Sequence, residues 1–280
     1  MSIEVCVLAS GSSGNCTLVR APSGVMSIDA GIGPRTAVRR LDGTGVGVRD
    51  IAAICLTHLD RDHFSAAWGR EVAERDIRVF CHAGRLQQLS RISGGALEGN
   101  VSGFDGPFEP LPGLCVHPIA LAHDENGSHG FLIEGFGCRL GYATDLGRVP
   151  GELIDRFAAL DLLAIESNYD ERMQLDSPRP WFLKQRIMGG RGHLSNEQAF
   201  VAVRQLLDRH ERFRRPLPAQ IVLLHRSRRC NSPHLVRRLF CRDPRIARRL
   251  TLAEQFERTP WLRVRPTRPL IGEQLLMAWG

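Results

Sequence analysis

The sequence predicts an α/β or α+β domain of sandwich type, with helices lying outside two sheets. Short apolar runs recur along the chain, each bounded by Gly, Pro, Ser or Asp, as strands separated by turns should be. Segments of helical length and spacing fall between them. With 43% hydrophobic and 24% charged positions, 280 residues supply enough apolar material for one large core or two fused halves. In order, strands are expected at 3–8, 17–20, 25–28, 51–56 and 77–80, with short helices at 34–41, 65–75 and 84–92. The second half continues with strands at 114–121, 131–134, 138–143, 162–166 and 221–224, and with helices at 151–159 and 195–210. The last helix has a start signal: Ser195 followed by Gln198 is a capping box, and Phe200, Val203, Leu206 and Leu207 then fall on one face. There is no internal repeat, low-complexity segment or long linker. The chain therefore reads as a single domain over 1–280, with a core to about 240 and an Arg-rich C-terminal extension over about 241–280.

Composition narrows the setting. No apolar run approaches the roughly 18 residues of a spanning helix. The opening MSIEVCVLAS carries Glu4 and lacks the basic start of a secretion signal, so a cytoplasmic protein with no membrane partner is expected. Eight cysteines lie scattered with no C-x-x-C pair, mostly inside apolar runs, which suits reduced core thiols better than a disulfide framework or a cysteine zinc knuckle. The formal net charge of +7 is unevenly placed, because residues 226–280 hold 13 arginines against 4 acids. Clustered arginine supplies the salt-sensitive phosphate attraction that nucleic-acid binding needs. Lys184 is the only lysine, however, so arginine is also this chain's default cation, and a solvated basic face explains the same count.

The chemistry concentrates in His58-Leu59-Asp60-Arg61-Asp62-His63, immediately after the strand expected to end near Thr57. A strand end followed by a turn can aim the side chains of residues 58, 60, 62 and 63 into one pocket, which neither a helix nor a straight strand could do. Imidazole nitrogen and carboxylate oxygen both suit borderline and hard divalent metals, and several must converge to hold one. Taken alone, the same string also describes a solvated polar turn.

With Thr57, the string resembles the T-H-x-H-x-D-H signature of the metallo-β-lactamase fold. Other marks of that fold follow in order: Ile28-Asp29-Ala30-Gly31 at an early strand end, Ala122-His123-Asp124 as a lone His, Gly141-Tyr142-Ala143-Thr144-Asp145, and a final Val222-Leu223-Leu224-His225. Within the superfamily the chain is similar to the YycJ/WalJ-like branch of predicted exonucleases. That likeness rests on Ser10-Gly11-Ser12-Ser13-Gly14-Asn15, Ala143-Thr144-Asp145-Leu146-Gly147, Glu166-Ser167-Asn168-Tyr169-Asp170 and Gly192-His193-Leu194-Ser195-Asn196, and spans roughly residues 3–240.

The resemblance implies an α+β, four-layer αββα sandwich with two divalent metal ions, zinc or manganese, with iron as a further option. Carried over residue by residue, His58, Asp60 and His123 would hold the first ion, Asp62, His63 and His225 the second, and Asp145 would bridge them. Asp60 stands where the superfamily usually has a second His. The extra carboxylate makes the first site richer in oxygen and moves its preference from zinc toward manganese or iron. Were Asp60 to point away, that site would bind weakly, leaving a mononuclear enzyme or a non-catalytic regulatory relative. Two ions about 3.5–4 Å apart can share and deprotonate a water and stabilise both oxygens of an in-line displacement at phosphorus. The implied activity is phosphodiester hydrolysis by a metal-bridging hydroxide, as an exonuclease on DNA or RNA. A small-molecule thioester, lactone or cyclic phosphodiester hydrolase is the alternative.

Roles follow for the remaining candidates. Asp62 would orient the nucleophile while ligating, and Asp29 would fix a ligating imidazole. His193, two residues before the Ser195 cap, would contact the scissile phosphate or protonate the leaving oxygen. Ser12 and Asn15 sit in a loop permissive enough to cradle an anion, though a plain turn explains Gly and Ser equally. Asn168 is a pocket candidate by resemblance. For the phosphate backbone there are two basic groups, one from Arg204 to Arg215 and one at Arg226, Arg228 and Arg229. Trp181 and Trp261 could stack bases or belong to core or rim. Beyond about 250, Pro260, Pro266 and Pro269 leave an edge strand, a docking arm or a disordered tail open.

Overall fold

The computed structural model describes residues 3–264 and Pro266; the rest of the expected C-terminal extension lies outside the described residues. β1 (Ile3–Ala9), β2 (Cys16–Ala21), β3 (Gly24–Ile28), β4 (Ile51–Cys55), β5 (Arg78–His82) and β6 (Val101–Phe104) lie side by side in one sheet. β7 (Phe108–Leu111), β8 (Leu114–Leu121), β9 (Ser128–Gly135), β10 (Cys138–Ala143), β11 (Leu162–Glu166), β12 (Gln220–Leu224) and β13 (Leu250–Leu252) form the other. β14 (Leu262–Val264) then returns antiparallel along β1, with Ile3 opposite Val264, so among the described residues each sheet has seven strands. Both sheets pass from an antiparallel part into a parallel one, β3 to β6 in the first and β10 to β13 in the second. Parallel strands end on the same edge, and it is at those carboxyl ends that the candidate residues collect.

Alternation along the strands sorts side chains into layers. Val5 and Val7, Leu162 and Ala164, and Val222 and Leu224 face a common core between the sheets. Their neighbours point the other way. Cys6 and Leu8 meet α1 (Pro34–Leu41), α2 (Gly69–Arg75) and α3 (Leu86–Ser93) through Ala37, Val72 and Leu89. α4 (Gly151–Arg156), α5 (Glu171–Asp176), α6 (Trp181–Met188), α7 (Asn196–Arg212), α8 (Pro233–Phe240) and α9 (Pro244–Ala247) complete the second half. Leu163, Ile165, Ile221 and Leu223 pack there against Leu153, Val203, Leu206, Val236 and Ile246. The result is the helix, sheet, sheet, helix sandwich that the sequence implies, and it is an α+β fold.

Differences from expectation have local causes. β6 and β7 carry no apolar run of the expected kind, and α5 and α6 are short and separated by Pro178 and Pro180. Beyond residue 240 the chain adds α9, β13 and β14, whose Ile246, Leu262 and Val264 are buried. The Ser195–Gln198 box forms: Gln198 N–H donates to Ser195 Oγ at 3.1 Å, and Ser195 N–H donates to Gln198 Oε1 at 2.8 Å. All eight cysteines are free, and six are buried. Among the described residues no helix is long and apolar enough to cross a membrane.

One buried histidine far from the strand ends ties two loops together. Leu160 N–H donates to His210 Nε2 at 3.1 Å, and Pro216 O accepts from His210 Nδ1 at 2.7 Å, which requires the neutral ring. Burial holds its pKa below the ordinary value. A depressed histidine contributes stability that is present above the unfolded pKa, about 6.5, and lost as pH falls through the folded one. His210→Ala is expected to cost about 1–3 kcal/mol at pH near 8, because Leu160 N–H loses its acceptor. The difference in unfolding temperature from the parent should shrink toward about pH 5, and a gap that stays constant with pH would disprove the linkage.

Candidate metal centre

Five strand ends from both sheets deliver the cluster. Asp29 follows β3, Thr57 to His63 follow β4, Asp145 follows β10, Glu166 closes β11 and His225 follows β12. Asp29, Asp145 and His225 adopt left-handed φ values of 60°, 54° and 52°, the local reversal that turns a side chain from the sheet into the pocket. His123 comes from the loop after β8 and is held by its Nδ1–H on Gly192 O at 2.9 Å.

Asp145 lies at the middle. Its Oδ2 is 3.0 Å from His63 Nε2, and its Oδ1 is 3.4 Å from His193 Nδ1, 3.4 Å from His225 Nδ1 and 4.0 Å from His123 Nε2. Two donor sets flank it. On one side are His58, Asp60 and His123; on the other are Asp62, His63 and His225. Asp60 Oδ2 stands 3.8 Å from His58 Nε2 and 4.0 Å from His123 Nε2, so it is within reach of that set although its side chain is 51% exposed. His225 Nε2 is 3.2 Å from Asp62 Oδ2.

A second tier orients these donors. Thr57 N–H donates to Asp29 Oδ1 at 2.9 Å, and Asp29 Oδ2 takes His63 Nδ1 at 2.8 Å, turning Nε2 of that ring toward Asp145. The Thr57 hydroxyl donates to the Asp29 carboxylate, 3.0 Å away, so it accepts from His58 Nδ1 at 3.0 Å. His58 Nε2 is thereby left with its lone pair, buried and without a hydrogen-bond partner. Burial and the neighbouring His63 hold the His58 pKa well below normal, so the ring is in the neutral form that ligates. An orphaned imidazole nitrogen among carboxylates fits a cation.

The electrostatics agree. Burial opposes the charge on His63 and His225, yet the acids around them prevail, lifting His63 well above normal, chiefly through Asp145 and Asp29. Asp145, Asp62 and Glu166 take His225 to about 10. A cage this anionic holds either protons on its imidazoles or cations in their place.

Of the remaining expected residues, Asn15 and Asn168 join the cluster. Asn15 Nδ2 lies 3.0 Å from His63 Nε2 and donates to Asp62 O at 3.1 Å, while Asn168 Nδ2 donates to His225 O at 2.6 Å. Ser12 is exposed on a cleft of about 750 Å³ that it shares with Arg61 and Asp62. His193 is present with its ring 20% exposed. Arg226 departs from expectation, because its guanidinium is taken by Glu254 and, among the described residues, bonds no member of the cluster. The first basic group is also misplaced. α7 begins beside His193, so at ~1.5 Å per residue its far end lies about 24 Å away and Arg204 about 12 Å, and Arg209 and Arg204 are paired with Asp155 and Asp243.

Glu166 was missed. It is fully buried, its Oε1 meets His193 Nδ1 at 2.7 Å and His225 Nδ1 at 3.2 Å, and its Oε2 accepts from Leu146 N–H at 3.1 Å and Leu194 N–H at 3.3 Å. Burial disfavours its charge, but His193 and His225 hold its carboxyl below the usual range. An acid ending the otherwise apolar run Leu-Leu-Ala-Ile was the available signal.

The chain is 24% identical over 208 residues to exodeoxyribonuclease YycJ of Bacillus anthracis, covering 74% of this chain and 78% of that protein. It is 25% identical over 202 residues to exodeoxyribonuclease WalJ of Streptococcus pneumoniae, covering 70% and 74%. The crystal structure of a diphosphatase from the PhnP family superposes with a TM-score of 0.66 at 14% identity, over 94% of this chain and 98% of that one. The Beta-lactamase superfamily domain matches residues 26–223. The chain therefore belongs to the beta-lactamase superfamily, as a YycJ-like metallohydrolase with the metallo-β-lactamase fold.

Proposed function

We propose that this protein is a two-metal phosphodiesterase that removes nucleotides from the end of DNA or RNA, on a single domain spanning the chain and in the cytoplasm. The observation that carries the reading is the pair of donor sets on either side of Asp145, one of which contains the unpartnered His58 Nε2. Similarity to proteins named exodeoxyribonucleases supports the substrate class. His58, Asp60 and His123 would hold one divalent ion, Asp62, His63 and His225 the other, with Asp145 shared. Bound there, such ions supply positive charge for the phosphate and acidify water.

The chain's own groups do the rest. Asp62, steadied by Asn15 Nδ2, which donates to its backbone carbonyl at 3.1 Å and to its Oδ2 at 3.4 Å, orients the attacking water as a proton acceptor. Glu166 occupies Nδ1 of His193 and leaves Nε2 as the nitrogen that can give a proton to the leaving oxygen. Ser12 and Arg61 line the cleft beside Asp62 and offer hydroxyl and guanidinium groups to the neighbouring phosphate.

The test is hydrolysis of defined single- and double-stranded DNA and RNA with manganese, zinc and magnesium compared. Release of mononucleotides, with binding that weakens steeply as salt rises, is expected. The size of the cleft favours a second reading, a small-molecule ester hydrolase. Turnover of a neutral ester with no nucleic acid cleaved under any metal would establish that one instead. A further expectation concerns the metal. Asp60→His should shift retained metal toward zinc, read by elemental analysis after growth or loading with mixed zinc and manganese. An unchanged profile would remove Asp60 from the ligands.

A further inference from the structure

Between β11 and α7 the chain carries a surface that the centre does not use. α6 reads Trp-Phe-Leu-Lys-Gln-Arg-Ile-Met, and none of its residues is buried. Trp181 is 62% exposed and Phe182 72%, whereas a helix so rich in apolar residues is ordinarily covered. Trp261 makes the contrast: its indole N–H is spent on Thr44 O and its ring lies under Arg20. The other end of α6 is fastened to the centre. His193 N–H donates to Ile187 O at 2.9 Å, and Arg186 pairs with Asp124 beside His123. Trp181 stands six residues before Ile187, about 9 Å at ~1.5 Å per residue, which is close to three stacked nucleotides at ~3.4 Å each.

The charge on this segment has a sign. Residues 171–191 hold five cations against two acids. Arg179 and Lys184 donate to neutral oxygens, Gln174 Oε1 at 3.0 Å and Leu175 O at 2.5 Å, so these bonds leave their charge unmatched. Arg179 and Arg229 line one cavity of about 490 Å³ with Asp170 and with Arg172, which pairs with Asp176 there. Open aromatic faces interleaved with unmatched cations, anchored next to a phosphodiester centre, are complementary to unpaired bases on a phosphate chain.

We propose that α6 is a stacking platform for the single-stranded end of a nucleic-acid substrate, with Trp181 and Phe182 taking bases and Arg179 and Lys184 the backbone beside them. This rests on the nuclease reading and deepens it. Stacking accepts any base, so the platform confers preference for single strands over duplex without sequence preference.

The test measures fluorescence anisotropy of a labelled oligothymidylate with uncleavable phosphorothioate linkages, and of a duplex of equal length. The parent is compared with W181A/F182A and with W181F. The double variant is expected to lose about tenfold or more in single-strand affinity, the factor that one base-on-aromatic stack supplies. Duplex affinity and turnover of a small chromogenic phosphodiester should stay unchanged, and W181F should retain most single-strand binding. If the parent binds and degrades oligonucleotides and W181A/F182A does so equally well, the platform is refuted while the nuclease reading stands. If the parent binds no nucleic acid yet turns over a small ester, the nuclease reading fails and the platform with it. A change in oligomeric state with unchanged oligonucleotide affinity would assign α6 to a contact between copies, and would also overturn the proposal.

Discussion

Asp145→Ala is expected to abolish hydrolysis and to lower the metal content of the purified protein. Among the described residues no other carboxylate reaches so many imidazoles: Asp145 touches His63, His193 and His225 within 3.4 Å and lies 4.0 Å from His123. It also converges with His58 and His63 on one hand and with Glu166, His193 and His225 on the other. Its removal takes away the one anion that both cations would share and leaves the imidazoles to repel one another. Loss of a single preorganised electrostatic group costs about 10²–10³ in rate, and here the binding of the cations falls as well. A drop beyond about a thousandfold in kcat/KM, with folding retained by circular dichroism, is therefore anticipated. Full turnover with both metals still bound would exclude Asp145 from the centre.

Glu166→Gln should give the next largest loss, although Glu166 belongs to neither of the two donor sets assigned to cations. The carboxylate accepts four hydrogen bonds with no access to water: two from histidine Nδ1 atoms and two from the backbone N–H groups of Leu146 and Leu194. An amide has one acceptor oxygen, so its NH2 must confront either an imidazole N–H or a peptide N–H. Rings that orient metal donors are worth about 10–100-fold in affinity or activity, and a buried donor without an acceptor costs about 1–3 kcal/mol. Activity should fall within that range, with a lower unfolding temperature and weaker cation binding by calorimetry. Unaltered cation affinity would mean that Glu166 supports only the fold.

The reading of sequence succeeds where chemistry and periodicity are local. His58, Asp62 and His63 sit within one turn, so their convergence is visible as a string, and the capping box at Ser195 is a four-residue pattern. His123, Asp145 and His225 carry no spacing relation to that turn, and the resemblance of separated motifs had to supply them. Glu166 stood inside one of those motifs, yet a lone acid at a strand end does not announce what it will touch. The arginines fail for another reason. A charge count has no direction, so nothing in it separates Arg226, neutralised by Glu254, from Arg179 on the rim of an open cavity. α5 and α6 escaped because Pro178 and Pro180 divide them into short pieces and because apolar residues that remain unburied follow no core period.

The division of labour between the sheets has a consequence for how such a protein can arise and break. His58, Asp60, Asp62 and His63 hang from the first sheet, and His123, Asp145 and His225 from the second. Neither half carries alone either of the two sets assigned to cations, although Asp145, Glu166, His193 and His225 of the second half form a donor group of their own. Cut between Phe104 and Phe108, each fragment would lack part of both assigned sets, which become whole only where the two sheets meet. A substitution deep in the intersheet core is therefore expected to disturb the centre without touching a single donor.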